Sequence, residues 1–147
     1  KLGLKNAKLT LIGPVTEVTQ KFIQKNYPSV FLKGKLPFSE VKNILPEFDV
    51  MIFPSFFEGY GLVIPEALAC GLPVITTEAT CGTDIIENGK EGFVFEPGNE
   101  KEMENAILFF ISHHEKLNDM RILARKKAEL LTWNSYGEQW KEILNTF

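Results

Sequence analysis

Long hydrophobic runs, clusters of basic residues and cysteine are what this sequence has least of. No apolar stretch approaches the roughly 18 residues needed to cross a bilayer. The longest is interrupted at Pro54, and the opening Lys1-Leu2-Gly3 has no signal-peptide architecture. The expectation is a soluble, intracellular chain. Lysine and arginine number 16 against 19 acidic residues, a net charge of −3, and no basic run stands out. A broad phosphate footprint on nucleic acid is therefore excluded. Two cysteines, Cys70 and Cys81, are too few for a disulfide framework. Neither has a CxxC partner or a histidine at metal-ligand spacing, so both read as reduced and structural. Internal repeats, low-complexity tracts and flexible linkers are also missing, and the 147 residues read as one domain. With 44% hydrophobic and 24% charged residues, the chain can build a single core, and disorder is excluded.

What is present is alternation. Over the first hundred residues, short apolar runs closed by glycine or proline alternate with amphipathic stretches, the pattern of repeated βα units and a parallel sheet. Strands are expected at Leu9–Ile12, Val30–Leu32, Val50–Phe53, Val74–Thr76 and Phe93–Phe95. The third is apolar throughout, as a strand covered on both faces would be. Val18, Phe22 and Ile23 make one helical face after Gly13-Pro14, and Val41, Ile44 and Leu45 another, with Ser39 as its expected cap. A third helix spans about Leu62 to Cys70, because Pro65 fits only a first turn, Gly71 suits the C′ position and Pro73 prevents continuation.

From Asn99 the pattern becomes helical alone. Asn99 is the cap, and Met103, Ala106, Ile107, Phe110 and Ile111 form the inward face. A second helix runs roughly Leu117 to Leu131. Thr132 then opens a last one, with Trp133, Tyr136, Trp140, Ile143, Leu144 and Phe147 on one stripe, most simply a core face. His113-His114 falls at a helix end, where imidazole suits the carbonyl terminus.

In open parallel sheets, ligands gather at the carboxyl ends of strands, where helix N-termini aim unpaired N–H groups outward. Two loops there are rich in glycine and small polar residues: Pro54-Ser55-Phe56-Phe57-Glu58-Gly59-Tyr60-Gly61 after the third strand, and Thr77-Glu78-Ala79-Thr80-Cys81-Gly82-Thr83 after the fourth. Glu58 precedes a helix and Glu66 lies about two turns inside it, seven residues intervening, while Gly59 and Gly61 let backbone approach a ligand closely. One carboxylate then stands at each end of a phosphate-sized gap. Read without further context, Glu58 is a glutamate favoured by a helix dipole, Glu66 a solvated face, and Gly82 and Thr83 turn residues.

The segment Phe53 to Ile75 resembles the two-glutamate signature of retaining, GT-B-fold glycosyltransferases, the group 1 glycosyl transferases that include sucrose synthases, glycogen synthases and bacterial polysaccharide transferases. The likeness continues through Cys81–Ile86, Asn88-Gly89, Gly92-Phe93-Val94 and Pro97-Gly98-Asn99. It implies a Rossmann-like α/β fold, the C-terminal, donor-binding half of a GT-B enzyme, with a nucleotide-diphosphate sugar as donor. In that family Glu66 would hold the ribose hydroxyls. Backbone amides of Gly59, Tyr60, Gly61 and Leu62 would cradle the diphosphate and stabilise the departing phosphate oxygen. Glu58 is the implied catalytic residue, beside the transferred sugar, by positioning and electrostatic stabilisation. Gly82 and Thr83 are implied as sugar or phosphate contacts, and Lys35 and Leu36, with Gly34, as neighbours of the nucleotide base. Phe56, Phe57 and Tyr60 are expected to pack and gate.

No metal or cofactor is expected, since helix amides and basic residues do the work of a divalent ion and no Asp-x-Asp motif is present. The family's domain begins with a further strand whose loop supplies an arginine and a lysine to the diphosphate, and Lys1 to Gly13 hold no such unit. The expectation is therefore a piece of a longer cytoplasmic enzyme, free or peripherally held at the inner membrane face. An amino-terminal domain would bring a sugar or lipid-linked glycan acceptor, and the isolated domain would be inactive. The competing reading is a non-catalytic α/β module that binds sugar nucleotides or a partner. A phosphoacceptor receiver is disfavoured, because Gly13-Pro14 and Pro54-Ser55 stand where its aspartates would be.

Overall fold

A computed structural model of the chain describes residues 7–146. Phe147 of the last stripe and the opening Lys1-Leu2-Gly3 lie outside them. The chain divides into two compact units, Lys1–Ile44 and Leu45–Phe147, each with its own parallel sheet.

In the first unit, β1 (Leu9–Ile12) and β2 (Val30–Gly34) pair in parallel, Leu9 opposite Val30 and Leu11 opposite Leu32. They are joined through α1 (Glu17–Asn26), which Thr16 caps by accepting the Thr19 N–H at 3.2 Å. Val18 and Phe22 of α1 stand exposed. The next helix, α2 (Phe38–Ile44), begins before Ser39, which is thus inside the first turn and not its cap. The Pro37 carbonyl instead accepts the N–H groups of Glu40 and Val41.

The second unit carries β3 (Met51–Phe53), β4 (Val74–Thr77) and β5 (Gly92–Phe95), in that spatial order and all parallel. All four residues of β4 are buried, as befits a central strand, whereas β3 is half-buried throughout. The full cover expected of β3 is absent because it is an edge strand of this sheet. Helix α3 (Val63–Ala69) joins β3 to β4 and ends in a Schellman motif, with Leu72 N–H donating to the Ala67 carbonyl and Gly71 N–H to that of Leu68, both at 2.9 Å. Gly71 has φ 68°, the left-handed conformation that this ending requires.

Gly82 and Thr83, expected within a loop, instead open a one-turn helix, α4 (Gly82–Ile85). Then come α5 (Glu100–Ser112), α6 (His114–Leu130) and α7 (Trp133–Leu144). Asn99 caps α5 by accepting the Glu102 N–H at 3.1 Å, and Thr132 and Ser135 make a capping box on α7. His113 ends α5, its Nδ1 3.0 Å from the Phe109 carbonyl and its ring stacked on Phe109.

The core of this unit gathers Ile75, Phe95, Ala106, Phe110 and Met120, with Phe93 edge-on to Phe109 at 5.0 Å. Helix α6 is tied in by arginine: Arg121 donates to the Phe48 and Pro46 carbonyls, and Arg125 to that of Ala69 at the end of α3. Buried Glu91 accepts the Glu87 N–H at 2.9 Å and lies 3.9 Å from Lys127. The outer edge of β5 is closed by a side chain: Asn88 Oδ1 accepts the Val94 N–H at 2.7 Å, and Asn88 Nδ2 faces the Val94 carbonyl at 3.4 Å. The α7 stripe, expected as core, is exposed, Trp133 by 87%. Its rings of Trp133, Tyr136 and Trp140 pack edge-on to one another. No helix among the described residues is long and apolar enough to cross a membrane.

Candidate functional site

The loop from Pro54 to Leu62 starts where β3 ends and feeds α3. Its turn at Gly61 has φ 86°, and a Cβ there would sit 3.4 Å from the Glu58 and Ile64 side chains, so glycine keeps this corner open. Gly61 is buried and its carbonyl accepts the Ile64 N–H at 2.9 Å, starting the helix. Among the described residues, no protein acceptor faces the N–H groups of Tyr60, Gly61 and Leu62. Gly59 N–H donates to Glu58 Oε1 at 3.0 Å, which turns that carboxylate back over the loop.

A cavity of about 340 Å³ opens here, lined by Phe53, Glu58, Tyr60, Gly61, Leu62 and Val63. The structure thus brings together Glu58 and three of the four residues whose amides were singled out. Glu66, expected about two turns inside the helix and at one end of the gap, stands instead half-buried in the first turn of α3 and is not part of this lining, because α3 starts only at Val63; Gly59 is exposed. A second cavity, about 390 Å³, lies along β5 and α5 with mostly apolar walls including Phe93, Phe95 and Phe109. It is slightly larger but offers no array of unpaired donors, so the corner at Gly61 is the better candidate.

The second loop is joined to the first. Cys81 N–H donates to the Tyr60 carbonyl at 2.8 Å, and the Cys81 thiol faces the Gly61 carbonyl at 3.8 Å. Gly82 is buried, and its N–H is already taken by Thr80 Oγ1 at 3.0 Å; Thr83 is exposed, its hydroxyl 3.3 Å from the Thr80 carbonyl. Of this pair, Thr83 is the one open to a ligand. Lys35, exposed, and Leu36, half-buried, follow β2 in the first unit. Burial, then nearby Asp84, pushes the Cys81 thiol up to about 11, so it stays protonated at neutral pH. Burial also raises the pKa of the Tyr60 phenol.

One expectation is corrected. Phe56 and Phe57 are 75% and 88% exposed and bury little, although a Cβ at Gly98 would come within 3.3 Å of the Phe56 ring. The loop is held instead by hydroxyls that sequence reasoning passed over. Thr76 Oγ1 donates to the Phe53 carbonyl at 2.9 Å, and Thr77 Oγ1 to that of Ser55. The available signal was a pair of hydroxyl residues ending an otherwise aliphatic, fully buried strand.

Residues 1–113 match the family model described as glycosyl transferases group 1. The capsular polysaccharide biosynthesis glycosyltransferase CapM of Staphylococcus aureus is 32% identical, the alignment covering 97% of this chain and 38% of that protein. Among solved structures, TarM of S. aureus is 26% identical with a TM-score of 0.79, over 96% of this chain and 29% of TarM. HepE of Anabaena, solved in complex with UDP, is 22% identical with a TM-score of 0.77, over 98% of this chain and 42% of HepE. The chain spans 26% to 38% of the length of three curated relatives that it matches.

Proposed function

This chain belongs to the glycosyl transferases group 1 family, and from that membership we propose that it is the donor-binding part of a retaining glycosyltransferase that uses a nucleotide-diphosphate sugar. The observation that carries the reading is the corner at Gly61, where one cavity of about 340 Å³ is lined by Glu58 and by Tyr60, Gly61 and Leu62, whose N–H groups have no protein acceptor among the described residues. Donors fixed in this way suit an anion, and they matter most as negative charge grows on a departing phosphate oxygen. UDP bound in HepE, a structure of the same fold, supports a nucleoside diphosphate as the ligand.

In the proposed reaction the bond from the anomeric carbon to the β-phosphate oxygen breaks, and both its electrons leave with the phosphate. An acceptor hydroxyl then bonds to that carbon on the same face, and its proton passes to the phosphate oxygen. The amides of Tyr60, Gly61 and Leu62 stabilise the leaving group. Glu58, a carboxylate beside the sugar, stabilises the positive charge of an oxocarbenium-like transition state. Glu66 offers two acceptor oxygens to the ribose hydroxyls. The acceptor is proposed to be a growing glycan, in keeping with the name of the capsular polysaccharide enzyme CapM, or a lipid-linked sugar, brought by a companion domain of a longer protein, in keeping with the chain's covering 38% of CapM. No divalent ion is part of this scheme, in which helix amides together with basic residues stabilise the charge of the diphosphate.

The test is a screen of nucleotide sugars with the longest protein that contains this chain, with and without EDTA. One donor turned over with retention, at a rate that EDTA leaves within about twofold, is the expected result. Binding of UDP without turnover of any donor would favour the non-catalytic reading, and no binding at millimolar UDP would remove the site itself.

A further inference from the structure

A loop whose aromatic side chains point into solvent cannot owe its shape to apolar packing. Phe56 and Phe57 bury little, yet the backbone between Phe53 and Tyr60 is fixed at four carbonyls in succession. Thr76 holds Phe53 from β4, Thr77 holds Ser55, the Ser55 hydroxyl holds Phe57 at 2.9 Å, and the Cys81 N–H holds Tyr60. Glu58 is the residue after the third of these. Thr80 completes the set: its hydroxyl lies 2.8 Å from the Thr77 carbonyl and 3.1 Å from Thr76 Oγ1, and accepts the Gly82 N–H. Thr76, Thr77 and Thr80 are all buried, Thr76 and Thr77 almost completely.

We propose that Thr76, Thr77 and Thr80 are positioning residues whose hydroxyls, not whose shapes, fix the Glu58 loop and the Gly82 turn onto the end of β4 in ligand-ready form. The inference rests on the donor site proposed above. Threonine is the fitting residue: its branched methyl fills the sheet core, and its hydroxyl reaches a carbonyl on the neighbouring loop. Valine has the same outline and lacks only the oxygen, so a Thr→Val change leaves the Ser55 or Phe53 carbonyl without its donor while keeping the packing. An unfastened loop would lose the placement of Glu58 before it lost the amides beyond it, because Tyr60 is still held by Cys81. Misplacement of a reacting group by about 1 Å is worth up to about 100-fold in rate.

Two measurements separate this inference from the reading beneath it. Hydrogen exchange of the Ser55 and Gly59 N–H groups, which donate within the loop to the Phe53 carbonyl and to Glu58 Oε1 at 3.0 Å each, is compared in the parent chain, Thr77→Val and Thr77→Ser. Exchange about tenfold faster in the valine variant, with β4 unchanged and serine restoring protection, is the expected outcome. Equal exchange in all three, or no rescue by serine, overturns the proposal. In the longer protein, kcat with rates normalised to the fraction that binds UDP should fall at least about tenfold in Thr77→Val, with KM for the donor within about threefold. Ser55→Ala, which leaves the strand intact, serves if the valine variant fails to fold and should lower kcat in the same direction. Exchange decides the network; absence of turnover in the parent protein decides against the transferase reading.

Discussion

Glu58 and Glu66 share a residue type and a half-buried setting and differ in what surrounds them. Glu58 lies on the cavity at Gly61 and receives the Gly59 N–H, whereas Glu66 sits in the first turn of a helix, outside that lining. Their proposed roles therefore separate kinetically. Glu58→Gln keeps the side chain's shape and removes its charge, and is expected to lower kcat by about 100-fold with little change in donor KM, the mark of an interaction made in the transition state. Glu66→Ala would remove the proposed ribose grip, made before and during reaction, and is expected to raise donor KM about tenfold with kcat largely kept. Initial-rate kinetics over a donor concentration series read both, and the opposite assignment of effects would reverse the roles.

Elements in this chain were legible where the information is local. Asn99 with Glu102, Thr132 at the start of α7, Pro65 in a first turn and Gly71 after α3 each act within four residues of themselves, and all stand as expected. Ser39 misled because Pro37, two residues earlier, already terminates the preceding chain and its carbonyl opens the helix. Gly82–Ile85 was missed because one turn is too short to show a period. The threonine pair ending β4 stood in plain view, but its partners did not, for the opposite reason: their acceptors lie 22 and 23 residues away. The same limit applies to Gly92, which reads as an ordinary strand-starting glycine, yet a Cβ there would lie 1.8 Å from the Val74 carbonyl oxygen. Gly92→Ala must push β5 off β4, at a cost of about 3 kcal/mol. Thermal melting should show Tm lower by about 10 °C, and a shift below about 2 °C would contradict so close an approach.

At the scale of the whole molecule, large apolar side chains remain uncovered both at the candidate site, as with Phe57 and Leu62, and on the last helix, as with Trp133 and Trp140. Composition registered none of this, since the count of hydrophobic residues is ordinary and only their placement is not. A molecule carrying this much open apolar surface needs some defence against its own copies. The Asn88 amide supplies one on its side of the sheet, because it occupies the Val94 N–H that a neighbouring strand would otherwise capture. Asn88→Ala should leave the fold standing and shorten the lag before light scattering rises on mild heating, where the parent chain stays clear for longer. A side chain borrowed as a false strand thus occupies an edge that a second copy could otherwise extend, a task that has nothing to do with sugars and that a change to the neighbouring turn would disturb.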